Sequence, residues 1–325
     1  MRRKFAIMTS VRLARMVLIF AMCFLLVDAQ PAAAEKVPPL SGEYTGFVYS
    51  NGTYTTGLKP NPNSINNNDQ LAGYSKSWNA GFLYDNGTYT TIQPSGWNNV
   101  HATGINNNGM IVGVGLTEPP ETKPPWTSFI YSNGTYTTLN ALSGYTRGVQ
   151  INGVNDSNIA AGSLFNESGI ATAFIYSNGT YTTLNFAPDS FVNDLNNDGY
   201  LVGWKRSGNT AFIYNYNTGT YTTIGSGRAV GINNNGEVVG YAGTGPDDYT
   251  GFIYNYNTGI LSTLDPPVGW NLVFPTDIND EGVIVGTLIS RGGSPDPDPV
   301  PIPAAAWLLG TGLVGLVVIR RKFSK

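Results

Sequence analysis

Between residues 43 and 290 the apolar positions come in short runs, and no stretch shows a helical period with caps at its ends. One kind of run is aromatic and closes on tyrosine. It occurs as Gly46-Phe47-Val48-Tyr49, Gly81-Phe82-Leu83-Tyr84, Ser128-Phe129-Ile130-Tyr131, Ala173-Phe174-Ile175-Tyr176, Ala211-Phe212-Ile213-Tyr214 and Gly251-Phe252-Ile253-Tyr254. The phenylalanines are spaced by 35, 47, 45, 38 and 40 residues. Each run is followed by a turn and a Gly-Thr-Tyr-Thr-Thr-Leu type segment, clearest at Gly134 to Leu139 and Gly179 to Leu184 and most diverged at Gly259 to Leu264. The second kind of run follows an asparagine turn. Ile105-Asn106-Asn107-Asn108-Gly109 precedes Met110-Ile111-Val112-Gly113, and similar units begin at Leu195, Ile232 and Ile278, with weaker ones at Ile65 and Val154.

The turn chemistry predicts hairpins. Four copies place Asn-Gly between two β-rich segments, a strong short-range hairpin signal. Two copies use the longer Asn-Tyr-Asn-Thr-Gly. In the asparagine turns Gly, or Asn158 in the third copy, supplies the left-handed residue. Four short strands in about 41 residues match the period of a propeller blade. Phe-Ile-Tyr and Ile-Val-Gly are apolar at adjacent positions, so each small sheet is expected to be covered on both faces. A glycine recurs after the apolar pair at 73, 113, 162, 203, 240 and 286, and is expected where backbones approach closely near a crowded axis. The repeat starts with an aromatic hairpin at Phe47 and ends with an asparagine turn and apolar strand near Ile289. Gly46 to Leu58 would therefore supply the outer strands that Pro275 to Ile289 lacks. The expected fold is all-β: a six-bladed β-propeller over 43–290, closed by strands from both ends of the repeat region. A β-solenoid or sandwich are the alternatives, and uneven repeat lengths count against the solenoid.

The flanks read as addresses. Arg2, Arg3, Lys4, Arg12 and Arg15 precede the apolar Met16 to Val27, and Ala32-Ala33-Ala34 offers a cleavage pattern, so residues 1–34 read as a signal peptide and 35–42 as a linker. Ser294-Pro-Asp-Pro-Asp-Pro-Val-Pro301 is an extended tether, placed at 291–303. Ala304 to Ile319 has no charge and can just span a bilayer, so 304–325 reads as a transmembrane helix with a basic tail. Val300-Pro301-Ile302-Pro303, the apolar run and Arg320-Arg321 together resemble the PEP-CTERM sorting signals, closest to their VPLPA-type variant. That resemblance implies a Gram-negative inner-membrane anchor, processing by an exosortase-like protease, and export linked to exopolysaccharide. The repeats resemble the bacterial extracellular HAF repeat. Ala173-Phe174, Ala211-Phe212 and Ile232-Asn233-Asn234-Asn235-Gly236-Glu237-Val238-Val239-Gly240 carry the likeness, although the family's histidine is missing from all six copies. It implies an exported propeller-like module with no established activity.

Charge and cysteine sharpen the picture. The 325 residues include 18 Lys and Arg, 21 Asp and Glu and one cysteine. Residues 1–34 hold five bases and one acid and 320–325 four bases, which leaves 9 bases against 20 acids, near −11. Such a surface as a whole repels nucleic acid and anionic lipid, so no nucleic-acid partner is expected. Cys23 lies in the signal core, and no disulfide framework is expected.

Little reads as catalysis. His101 is the sole histidine, short of a triad or a zinc set. Asn196-Asn197-Asp198-Gly199 and Asn279-Asp280-Glu281-Gly282 offer oxygen ligands for calcium, but an EF-hand needs Glu at its twelfth position and Ser207 stands there. Turn geometry explains the pattern alone, and no cofactor or metal is expected. Asp247-Asp248 or Asp277 with Asp280 are the pairs open to glycoside hydrolysis, set against the expected reading as solvated loop acids. Trp78, Trp97, Trp126 and Trp270 are candidate ligand contacts, set against edge packing between blades. The proline-rich insertion at 118–125 is a further contact candidate. The function expected is a non-catalytic exported propeller that binds polysaccharide or another surface partner. A carbohydrate-active enzyme and a purely structural matrix protein are the alternatives.

Overall fold

The computed structural model describes residues 43–117, 126–245 and 248–290. They form six four-stranded antiparallel sheets, the blades of a propeller. Blades 1 to 5 take residues 62–92, 97–139, 149–184, 190–226 and 228–264. In blade 4 the strands run Ser190–Leu195, Tyr200–Lys205, Thr210–Asn215 and Thr220–Ser226 from the axis outward. Blade 6 is shared between distant segments. Leu272–Ile278 and Ile284–Ile289 are its inner pair, and Tyr44–Ser50 and Thr53–Leu58 its outer pair. Tyr44 faces Ile289 and Tyr49 faces Ile284 in that joint. The predicted closure is present, with the innermost strand starting three residues earlier than the sequence suggested.

The hairpins follow from their turns. Asn51-Gly52, Asn86-Gly87, Asn133-Gly134 and Asn178-Gly179 all have positive φ at both residues, as a two-residue hairpin loop matched to strand twist requires. In the asparagine turns Gly109, Gly199, Gly236, Gly282 and Asn158 take the left-handed conformation, and Asp69 does so in blade 1.

Packing runs between blades rather than around one central core. Six clusters of buried side chains each straddle one joint; at the closing joint Val48, Leu58, Val283 and Val285 of blade 6 meet Ile65, Leu71 and Phe82 of blade 1. Phe47, Phe82, Phe129, Phe174 and Phe212 are fully buried. The recurring glycine sits under this ring, not at the axis as expected. Gly162 pairs with Ile151 beside a bulge of the innermost strand and with Phe174 on the other side. A Cβ on Gly203 would collide with the Phe191 carbonyl oxygen and meet the Phe212 ring at 3.0 Å. The glycine is needed because bulged backbone and phenylalanine close over the same spot.

The ring has two unlike faces. Every asparagine turn and every outer hairpin lies on one, called here the rosette face. The crossovers between blades and the loops joining second to third strands lie on the other, the crossover face. The predicted signal peptide, linker, tether and transmembrane helix, the motif residues Val300, Pro301, Ile302, Pro303, Arg320 and Arg321, and the proline-rich insertion lie outside the described residues. Among the described residues no helix is long and apolar enough to cross a membrane.

Candidate functional site

The six asparagine turns meet around the axis. The first asparagine of each turn closes its own loop: the Asn196 Oδ1 accepts from the backbone N–H of Asp198 and Tyr200. Its amide reaches onward, donating to the Asn233 carbonyl at 3.1 Å. The same bond runs from Asn66 to Asn106, Asn106 to Asn155, Asn155 to Asn196, Asn233 to Asn279 and Asn279 back to Asn66. These six side chains are buried. Asn is suited to the role because one planar group both accepts and donates.

A second ring lies beside the first. Each following residue donates its backbone N–H to the side-chain oxygen of its counterpart in the next blade, through Asn67, Asn107, Asp156, Asn197, Asn234, Asp280 and back to Asn67. Asp156 also accepts the side-chain amides of Asn107 and Asn197, and Asp280 those of Asn67 and Asn234. The order Asn-Asn-Asp repeats twice around the ring, so each acid is flanked by two donors. These bonds use the oxygens that the sequence offered to calcium at Asn196 and Asp280. Among the described residues no group of three His, Cys, Asp or Glu could hold a metal.

Above the rosette lies an axial channel of about 60 Å³. Ser64, Gly104, Asp194 and Asp277 line it at the bulges of their inner strands. Each carboxylate bridges a blade joint. The Asp194 Oδ2 accepts from the Ile232 N–H at 2.9 Å. The Asp277 Oδ2 accepts from the Ser64 hydroxyl at 2.6 Å and the Ile65 N–H at 2.9 Å. Burial pushes the Asp277 carboxyl up to about 6 despite these bonds. Burial, then the Asp277 charge, holds Asp194 well above the usual carboxylate range. The ionisable groups lining the channel, Asp156, Asp194, Asp277 and Asp280, are all acids. Asp277 thus couples to Asp194 of a distant blade, whereas its sequence neighbour Asp280 belongs to the lower ring.

The predicted tryptophans do not assemble. Trp97 is 8% exposed and packs edge-on against Phe129, so its ring is core rather than contact surface. Trp126 is half-buried near His101, and Trp270 is half-buried against the joint of blades 5 and 6. Trp78 alone of the four is well exposed, at 44%, edge-to-face with Tyr89, itself 39% exposed, on the outer flank of blade 1. His101 is 2% exposed and stacked on Tyr74 at 3.8 Å. Burial drives its ring down to about 3, so it is neutral near pH 7. Sequence reading did not anticipate the crossover-face cluster of Phe165, Ala171, Phe191 and Trp204, in which Trp204 stacks on Phe191 at 4.5 Å beneath Arg228. Of the two candidate acid pairs, Asp247 lies outside the described residues, and Asp248 is exposed and caps its own loop at Thr244 and Gly245.

The closed ring of six four-stranded blades defines a six-bladed β-propeller. No family model matches the chain, and no curated protein matches it. Among solved structures it is similar to a putative TolB from Agrobacterium tumefaciens, with TM-score 0.57 and 12% identity, covering 77% of this chain and 99% of that one. It is more distantly similar to an Aleuria aurantia lectin mutant in complex with Fucα1-6GlcNAc, with TM-score 0.42 and 9% identity over 71% and 96% of the two chains. Identities this low speak for the fold alone.

Proposed function

We propose that this protein is an exported, envelope- or matrix-associated propeller without catalytic activity, which binds polysaccharide at its outer flank. The carrying observation is the Trp78–Tyr89 pair: two large exposed rings in edge-to-face contact, where the other described tryptophans are buried or half-buried. An exposed aromatic pair is costly to leave in water, and the face of either ring offers a flat apolar surface to the carbon face of a sugar. The N-terminal signal and the C-terminal motif, Val300 to Pro303 with Arg320 and Arg321, support sorting through the inner membrane by an exosortase-like protease.

Hydrolysis by loop carboxylates fits less well. Asp194 and Asp277 have raised proton affinity, as an acid and base require. Their channel of about 60 Å³ has room for a few waters, whereas small-molecule sites usually enclose roughly 300 Å³ or more. The test is binding of the producer's own exopolysaccharide to the full chain and to Trp78→Ala and Tyr89→Ala. Each substitution is expected to weaken binding about tenfold, with no release of reducing ends. Unchanged binding by both variants, or sugar release that an Asp277→Asn variant abolishes, overturns the reading.

A further inference from the structure

The two faces differ in charge as sharply as in shape. All six described cations, Lys59, Lys76, Arg147, Lys205, Arg206 and Arg228, sit in crossover-face loops or at the strand ends beside them. Five described acids share that face, Glu43, Glu167, Asp189, Asp248 and Asp265, so among the described residues its charges nearly balance. The rosette face carries seven acids, from Asp69 in blade 1 to Glu281 in blade 6, and no Lys or Arg among the described residues. Asp194 and Asp277 lie between, inside the channel.

The described ends of the chain leave from one place. Tyr44 pairs with Ile289, and the Ser290 N–H donates to the Glu43 carbonyl at 2.9 Å, all on the crossover side of blade 6. Residues 291–303 lead from there to the apolar run at 304–319. Thirteen residues reach at most about 45 Å, so whichever end is anchored, the crossover face is nearest the anchor.

We infer that the propeller, held by its tail at an anionic membrane, turns its crossover face to the lipid headgroups and its rosette face outward. This rests on the reading of residues 304–325 as a membrane segment. Turning the ring over would bring seven carboxylates within a screening length of like charge, with no cation beside them. The upright orientation instead offers the exposed Lys59, Lys76 and Arg147 to the headgroups. Trp78 shares the crossover-face loop of Lys76 and Ser77 and so lies toward the headgroups, whereas Tyr89 in the outermost strand of blade 1 stays open from the side, and the face presented outward is the ring of asparagine turns.

The test uses the full chain in a Cys23→Ser background, with one new cysteine at a time: Ser77→Cys or Val268→Cys on the crossover face, Thr135→Cys on the rosette face. All three sites are exposed. A fluorophore on each is read in phosphatidylcholine–phosphatidylglycerol vesicles that contain a headgroup quencher. In about 0.1 M salt the crossover-face labels are expected to be quenched at least about threefold more than the Thr135 label. The ratio is expected to shrink in neutral phosphatidylcholine vesicles and with Lys59→Glu, Lys76→Glu and Arg147→Glu combined. Protein that floats with the vesicles yet shows equal quenching on the two faces overturns the orientation alone. Protein that does not float overturns the anchoring reading and the orientation with it.

Discussion

The rosette face is built six times from one plan, while the crossover face is different in every blade. On the rosette face the same asparagine makes the same bonds at each joint, and the buried polar groups satisfy one another around a closed circuit. On the crossover face the joints use unrelated solutions: Phe165, Phe191 and Trp204 under guanidinium groups between blades 3 and 4, and Tyr241 with Leu272 and Phe274 between blades 5 and 6. Some polar atoms there are left over, the Ser190 hydroxyl and the Trp204 indole N–H having no hydrogen-bond partner among the described residues. The contrast teaches where the constraint lies. A circuit of hydrogen bonds tolerates no missing member, since each loss strands buried groups on both sides of a joint. Loops that pack only locally are free to differ, and differences between related units are where recognition usually resides.

The largest break in this contrast is expected from Asn196→Ala. It removes the amide that reaches Asn233 and the oxygen that caps the Asp198 and Tyr200 N–H groups. Three buried or half-buried backbone groups lose partners, at a cost of about 3 kcal/mol in urea unfolding. Removing the exposed crossover-face side chain in Val268→Ala should change stability by less than about 0.5 kcal/mol.

Next in size is a pH effect seated in the channel. The Asp277 carboxyl is raised from 3.8 to about 6 and Asp194 is raised with it, so the folded ring holds protons that the unfolded chain has already released. This contribution is fully present below about pH 4 and is lost as pH rises through about 6. Unfolding followed from pH 7.5 to pH 5 should show a gain of about 2 kcal/mol. Asp194→Asn should reduce that gain, because it removes one of the two carboxyls that hold a proton in the folded ring. A flat profile would mean that water reaches both carboxylates.

A smaller effect sharpens the donor–acceptor logic of the second ring. Asp156→Asn replaces an oxygen that accepts from both Asn107 and Asn197 with a competing donor, at about 1–2 kcal/mol. Adding Asn197→Asp restores an acceptor beside the new amide and should recover part of the loss in a double-mutant cycle. No recovery would show that ring order is unimportant.

Much of this architecture was legible in the sequence. Alternation between Phe-Ile-Tyr and Ile-Val-Gly runs, punctuated by Asn-Gly, fixes strands, turns and blade count, because turn chemistry and burial on both faces leave few other solutions. The phase of the repeat, with Phe47 opening and Ile289 closing, sufficed to foresee the shared blade. What escaped depends on contacts between blades. Asparagine in a turn is explained by local capping, so its amide reaching the next blade has no local trace; the trace available was its recurrence at six first positions where Asp would cap as well. The separate places of Asp277 and Asp280 left no local trace for the same reason. Asp277 and Asp280 are neighbours in sequence, but a bulge points one into the channel and the turn points the other into the ring. Polar residues two and three before three of the six asparagine turns, Asn63-Ser64, Asn193-Asp194 and Thr276-Asp277, were the signal for a polar axis. For Trp97 the packing alternative holds: it opens a strand of nine residues and is buried at the joint of blades 1 and 2.

The measurement that bears most directly on closure is thermal unfolding of a chain that lacks residues 35–59, set beside the intact one. That deletion takes the outer pair of blade 6, the fully buried Phe47 and the Val48 and Leu58 contacts to blade 1. A ring held shut by strands from both ends should lose at least about 10 °C in Tm, or its cooperative transition altogether. Equal Tm for the two chains would contradict closure through the shared blade.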